Sequence, residues 1–109
     1  MRRMAELALE YVESGLRFAR DRAAVLAGDA ANARTPGFSA QDLAAGALRS
    51  SEGLRFETTL RQVEASGPVA VMEYAMAAQG ENATRYHALA DQERAMLHEM
   101  RMVAEEARR

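Results

Sequence analysis

The sequence has no cysteine, no tryptophan and no lysine, two prolines and only 6% aromatic residues. Without cysteine there is no disulfide, no thiolate metal site and no cysteine nucleophile, and the chain suits either redox compartment. Scarce aromatics beside 24 alanines and 7 methionines suit helices far better than strands. All 14 basic residues are Arg, which reads first as a codon bias towards high GC. Acidic and basic residues interleave to a net charge of −2, so no basic face for nucleic acid is expected. No stretch approaches ~18 apolar residues, so no direct membrane insertion is expected. Glu6 and Glu10 follow the Met-Arg-Arg start, which does not read as a cleavable secretory signal. At 109 residues the chain is one domain. A chain of that size buries about 65% of its unfolded surface, enough for one modest core.

Two long helical patterns flank a broken middle. The first runs over 4–31. Ala5, Leu9, Val12, Leu16, Ala19, Ala23, Leu26 and Ala30 recur at alternating steps of four and three, an a/d seam for lengthwise packing. Met4, Tyr11, Phe18 and Val25 widen the stripe, while Glu6, Glu10, Glu13, Arg17, Arg20 and Arg22 are assigned to the other faces. Gly15 is a weak point, costing roughly 1 kcal/mol against Ala. The second pattern runs over 68–107. Met72, Ala75, Gln79, Asn82, Tyr86, Leu89, Glu93, Met96, Met100, Val103 and Ala107 form its seam, broadened by Ala83, Ala90 and Leu97. Pro68 suits a first helical turn and Ser66 an N-cap. Gln79, Asn82 and Glu93 are polar groups in that seam. Each would cost about 1–3 kcal/mol if buried unpaired. They therefore need partners, from a neighbouring chain or from water at the edge of the stripe.

The intervening 32–67 has no single period. Thr35 precedes proline and is pushed out of the α region, and Pro36-Gly37 is a turn dipeptide. Ser39 with Asp42 resembles a capping box opening a short helix through about Leu48. Ser50-Ser51-Glu52-Gly53 breaks it, and Leu54 to Ala65 reads as either a short helix or an extended arm.

Length adds an argument. Helices of about 28 and about 39 residues span about 42 and 58 Å. A compact globule of ~109 residues has a radius of gyration of about 13 Å. The expected fold is therefore all-α: a long antiparallel N- and C-terminal helical hairpin with a short irregular middle segment. One side of such a hairpin needs another chain. A kinked, self-contained bundle with a ligand pocket is the alternative.

Little in the sequence supports catalysis. His87 and His98 are the only histidines and lie about 16 Å apart along one helix, too far to share a metal. Thr84 and Ala95 stand where a di-iron bundle places Glu. The carboxylates read as ordinary helix-surface partners of Arg, such as Glu13 with Arg17. No phosphate-binding glycine pattern occurs. The methionines read as core rather than as a pliable groove. The chain is expected to be no enzyme and to take no cofactor or metal.

The helix-to-turn junction ends Asp29-Ala-Ala-Asn32-Ala-Arg-Thr35-Pro36-Gly37-Phe38 and continues through Ser-Ala-Gln-Asp42-Leu43. It resembles the N-terminal signature of bacterial flagellar basal-body rod and hook proteins, in which a long helix ends in N-x-A-N-x-x-T-P-G and an aromatic. The Asp-Leu continuation looks most like the proximal rod members. Glu81-Asn82 followed by Tyr86 and Leu89, with the Met-rich stretch from Met96 to Val103, resembles the family's C-terminal helix. Together the matches cover about two-thirds of the chain. Asp29 replaces the signature's first Asn and Ala30 its Ile, and each loses a contact the family uses. The middle is also short.

The resemblance implies a structural rod subunit exported through the flagellar type III apparatus to the periplasmic basal body. Its partners would be copies of itself and other rod or export-gate proteins. The implied assembly seam is Leu9, Val12, Leu16, Leu26, Met72, Asn82, Tyr86, Leu89, Met96, Met100 and Val103. The implied turn motif is Asn32, Thr35, Pro36, Gly37 and Phe38. A non-polymerising adapter or export-linked regulator of the same ancestry is the nearest alternative.

Overall fold

The computed structural model describes residues 2–50 and 53–109, with side chains described at 3–46 and 58–109. Two long helices pack antiparallel: α1 spans Arg2–Asn32 and α2 spans Gly67–Ala107. Between them run two strands, β1 at Gln41–Ser50 and β2 at Gly53–Gln62, paired antiparallel from Gln41↔Gln62 to Ser50↔Gly53. The molecule measures 65 × 26 × 14 Å with a radius of gyration of 18.0 Å. That is well above the ~13 Å of a compact chain of this length. It is a slab one helix thick along much of its length.

Both helices lie where periodicity places them. The shared register is fixed by polar groups. Gln79 donates to the Ala23 carbonyl at 3.1 Å and Asn82 to the Ala19 carbonyl at 2.8 Å. Val12, Ala19 and Leu26 of α1 are buried, as are Val71, Ala75 and Ala78 of α2. The turn between α1 and β1 is built by its own residues. The Thr35 amide donates to the Asn32 carbonyl at 2.9 Å and the Phe38 amide to the Thr35 carbonyl at 3.1 Å. Gly37 takes φ 77°, which only glycine adopts cheaply. Phe38, half-buried, packs with Val63 and Met72 on the small core of Ala33, Ala40 and Val71. Ser66 occupies the N-cap position of α2 with Pro68 in the first turn, but its side chain makes no capping hydrogen bond.

The middle corrects two readings. The short helix expected from Ser39 to Leu48 is strand β1, and Leu54 to Ala65 is mostly strand β2 rather than a helix. The physical reason lies at Asp42. Its carboxylate does not complete a capping box; it accepts from Arg22 of α1, while the β1 backbone pairs in the ladder to β2. The break read at Ser50 to Gly53 includes Ser51 and Glu52, which lie outside the described residues.

Candidate assembly surface

The slab has two unlike broad faces. One carries the β-hairpin, locked on by a buried charged cluster. The Arg22 guanidinium donates to Asp42 twice, from Nε to Oδ1 at 2.9 Å and from Nη2 to Oδ2 at 3.0 Å. The Leu43 amide donates to Oδ1 at 2.7 Å, and the Tyr74 hydroxyl of α2 donates to Oδ2. Arg61 of β2 approaches the same oxygen at 3.8 Å, and Arg22 reaches Glu81 at 3.5 Å. One carboxylate, fully buried, thus ties α1, β1, β2 and α2 together.

The electrostatics follow from that geometry. Burial pushes Asp42 up, but the Arg22 and Tyr74 donors and the Leu43 amide outweigh it and hold the carboxyl below its ordinary value. The Asp42 hydrogen bond keeps Arg22 charged. Burial, then the Asp42 contact, push the Tyr74 hydroxyl up. Asp29 is the contrary case. Its Oδ1 accepts from the Gln41 amide at 3.0 Å, while Oδ2 is buried with no hydrogen-bond partner. Desolvation therefore pushes Asp29 up.

Sequence reasoning missed this cluster and placed Arg22 on an outer face; it is 7% exposed. The available signal was phase. Arg22 is three residues past Ala19 and four before Leu26, inside the seam.

The opposite broad face has no such cover. Val69, Met76, Ala83, Ala90 and Leu97 step by seven along α2. At about 100° per residue they lie roughly a quarter to a third of a turn from the Val71–Ala75–Ala78–Asn82 seam. Tyr74, by contrast, falls on the other side. Val69 is 72% exposed, Met76 69% and Leu97 41%. Two shallow grooves run along this face. One, of about 210 Å³, is walled by Ala33, Pro68, Val69, Met72 and Met76, with Arg34 and Glu73 at its edge. The other, of about 300 Å³, lies between Ala19, Arg20 and Ala23 of α1 and Gln79, Ala83 and Tyr86 of α2.

The expected seam residues divide three ways. Val12, Leu26 and Asn82 are buried between the helices of one chain. Leu9, Leu16, Met72, Leu89, Met96 and Met100 are half-buried. Tyr86 and Val103 are exposed, at 43% and 69%. Much of the seam is therefore satisfied within the chain. The partners of Gln79 and Asn82 are α1 carbonyls rather than another chain or edge water, although the Asn82 Oδ1 stays buried without a partner. Asn32 and Thr35 hold the turn, with the Asn32 amide also donating to the Gly28 carbonyl at 2.9 Å; Pro36 is exposed.

His87 and His98 are exposed, and His87 meets Tyr86 edge to face. Among the described residues no group of three His, Asp or Glu side chains converges on a metal position, and no helix is long and apolar enough to cross a membrane. No family model, curated protein or solved structure matches the chain.

Proposed function

We propose that the chain is a structural subunit of the bacterial flagellar basal-body rod, of the proximal kind, polymerising through its paired helices to carry torque. The observation that carries this reading is the uncovered apolar column of α2 on a slab 14 Å thick. A helix with one apolar stripe against α1 and a second stripe facing water is built for more than one neighbour. The turn at Asn32 to Phe38, with its resemblance to the rod signature, gives that assembly its type. On this reading the protein is exported through the flagellar type III apparatus and sits in the periplasmic rod. Its partners are further copies and other rod or export-gate proteins, and it has no enzymatic role.

The absence of native cysteine makes the test clean, because an introduced cysteine is unique. Met76→Cys on the open column should cross-link under oxidation to a rod component in isolated basal bodies, and loss of the protein should abolish motility. Basal bodies free of the protein, with motility intact in a deletion strain, would refute the rod. The second reading, a non-polymerising adapter of the same ancestry, is favoured by Asp29. A buried carboxylate with an unpartnered oxygen replaces the signature's amide there.

A further inference from the structure

We infer that the root of the β-hairpin is a proton-operated latch: Asp29 fastens the hairpin to α1 when it carries a proton and loosens it when it gives the proton up, while the paired helices stay together. This goes beyond the rod reading and stands without it.

The hairpin depends on its root. A two-stranded hairpin alone is marginal in water. Along the described part of β2, Thr58, Thr59, Leu60, Arg61 and Gln62 are all exposed, so that stretch buries little of its own. Attachment falls to the end nearest the turn. Ala40 and Val63 join the small core there, and two carboxylates bind the start of β1. Asp42 reaches back to Arg22, and Asp29 of α1 accepts from the Gln41 amide at 3.0 Å. Asp42 is 0% exposed and Asp29 2%. The helices do not share this dependence, because Gln79 and Asn82 of α2 bond to α1 carbonyls directly.

The two carboxylates are opposite in kind. Asp42 accepts from Arg22, Tyr74 and the Leu43 amide, so its charge is what holds. Asp29 has one donor for two oxygens, and Oδ2 is buried with none. The cation on its own face of α1, Arg22, is committed to Asp42 and Glu81. Arg61 of β2 lies near Asp42 and donates to the Tyr74 hydroxyl at 3.3 Å. On α2, Tyr74 turns to Asp42, Glu81 sits with Arg22 and Arg85, and Glu73 is exposed. Arg34 and Glu64, in the segments flanking the hairpin, are exposed as well. Among the described residues no cation pairs with Asp29. The charge that reaches it is that of Asp42, which adds to burial in opposing ionisation. An ionised Asp29 therefore sits in the docked hairpin at a cost that the neutral acid avoids. Opening the root returns the charge to water and removes that cost.

In an open hairpin both carboxyls titrate at their ordinary 3.8. Asp29 titrates higher when docked. On its account docking is strongest below 3.8 and weakens as pH rises through the docked value. Asp42 titrates lower when docked, so on its account docking weakens only below 3.8. The two act on opposite sides of that pH. The latch is tightest near 3.8, loosens in both directions, and is looser at neutral pH than in mild acid.

The experiment is native-state amide hydrogen exchange of the purified full chain by NMR, from about pH 4 to 8, read as protection factors. The ladder amides of β1 and β2 should be about tenfold or more less protected than the seam amides around Leu26 and Ala75, because the hairpin opens without the helices. Their protection should fall as pH rises above 3.8, by up to about tenfold per pH unit, and then level off. In Asp29→Asn that fall should vanish. Asp29→Ala takes its place should the amide variant fail to fold. Hairpin amides that exchange only together with the helices overturn the latch. So does protection that ignores pH above 3.8, or a folded variant that keeps the wild-type slope.

Discussion

Asp42→Asn is the sharpest perturbation of the fold. The wild-type carboxylate is fully buried and accepts from Arg22 twice, from Tyr74 and from the Leu43 amide. Asn keeps one acceptor oxygen and turns an amide donor towards groups that are themselves donors. Arg22, 7% exposed, is left with Glu81 at 3.5 Å, a side chain 61% exposed to water. Removing one partner of a buried ion pair costs about 3–5 kcal/mol, and the residual Glu81 contact points to the lower end. A chain of this length unfolds with an entropy near 0.23 kcal/mol/K at about 2.1 cal/mol/K per residue, so ~3 kcal/mol lowers Tm by about 13 °C. Far-UV circular dichroism melts read it directly. The pH dependence has a definite sign. Asp42 is held below its ordinary 3.8 in the fold, so its contribution is fully present above that value. It is lost as pH falls through the lower folded-state value. The Tm gap between wild type and Asp42→Asn should therefore be constant at neutral pH and narrow in acid. Replacing both partners, Arg22→Met with Asp42→Leu, should recover part of the loss, because no buried charge remains. A gap below about 1 kcal/mol, or one that ignores acid, refutes the account of the cluster.

Other perturbations test the remaining parts. Asp29 is pushed up, so its favourable contribution is present below 3.8 and lost as pH rises through its folded-state value. Asp29→Asn should then raise Tm at neutral pH, by about 1 kcal/mol of stability, and lose that advantage in acid; an equal effect at both pH values contradicts it. Gly37→Ala, forced into φ 77°, should cost about 1–2 kcal/mol in denaturant titration, whereas Gly46→Ala, with open space around its added carbon and no positive φ, serves as the near-neutral control. Leu89→Asp places a charge in the half-buried seam. It should unfold the isolated chain by several kcal/mol rather than spare the fold and block assembly alone. A normal melt for that variant would hand the Leu89 position to contacts between copies.

What the sequence discloses and what it hides separate along a physical line. The helices were legible because period is a local property: Val12, Leu26, Val71 and Ala75 repeat within a few turns of themselves. The hairpin was not. Gln41–Ser50 reads Gln-Asp-Leu-Ala-Ala-Gly-Ala-Leu-Arg-Ser, whose alanines and leucines favour a helix on local preference. Its strand form is set from outside, by the ladder to β2 and by Arg22 reaching Asp42 across 20 residues of sequence. Ser39 and Asp42 have the spacing of a capping box, and the spacing is real; the carboxylate is simply taken by a stronger donor. Arg22 was hidden for the same reason in reverse. A charged residue inside an apolar stripe reads as an outer-face residue until its partner is known, and the partner lies on a strand that local preference denies. Asp42 and Arg22 therefore conceal each other.

The same logic separates the two faces of the slab. The face under the β-hairpin is specified by one non-local charged cluster and is complete within the chain. The opposite face carries a repeat: an apolar column of Val69, Met76, Ala83, Ala90 and Leu97 at steps of seven. A pattern maintained over that many turns on the uncovered side of α2 does nothing for the fold of one chain, since Val69 and Met76 remain more than two-thirds exposed in it. Burying such a column against any neighbour would return roughly 25 cal/mol for each Å² removed from water, without further demand on a core already spent between α1 and α2. Regular spacing on an open face is what the proposed assembly would use.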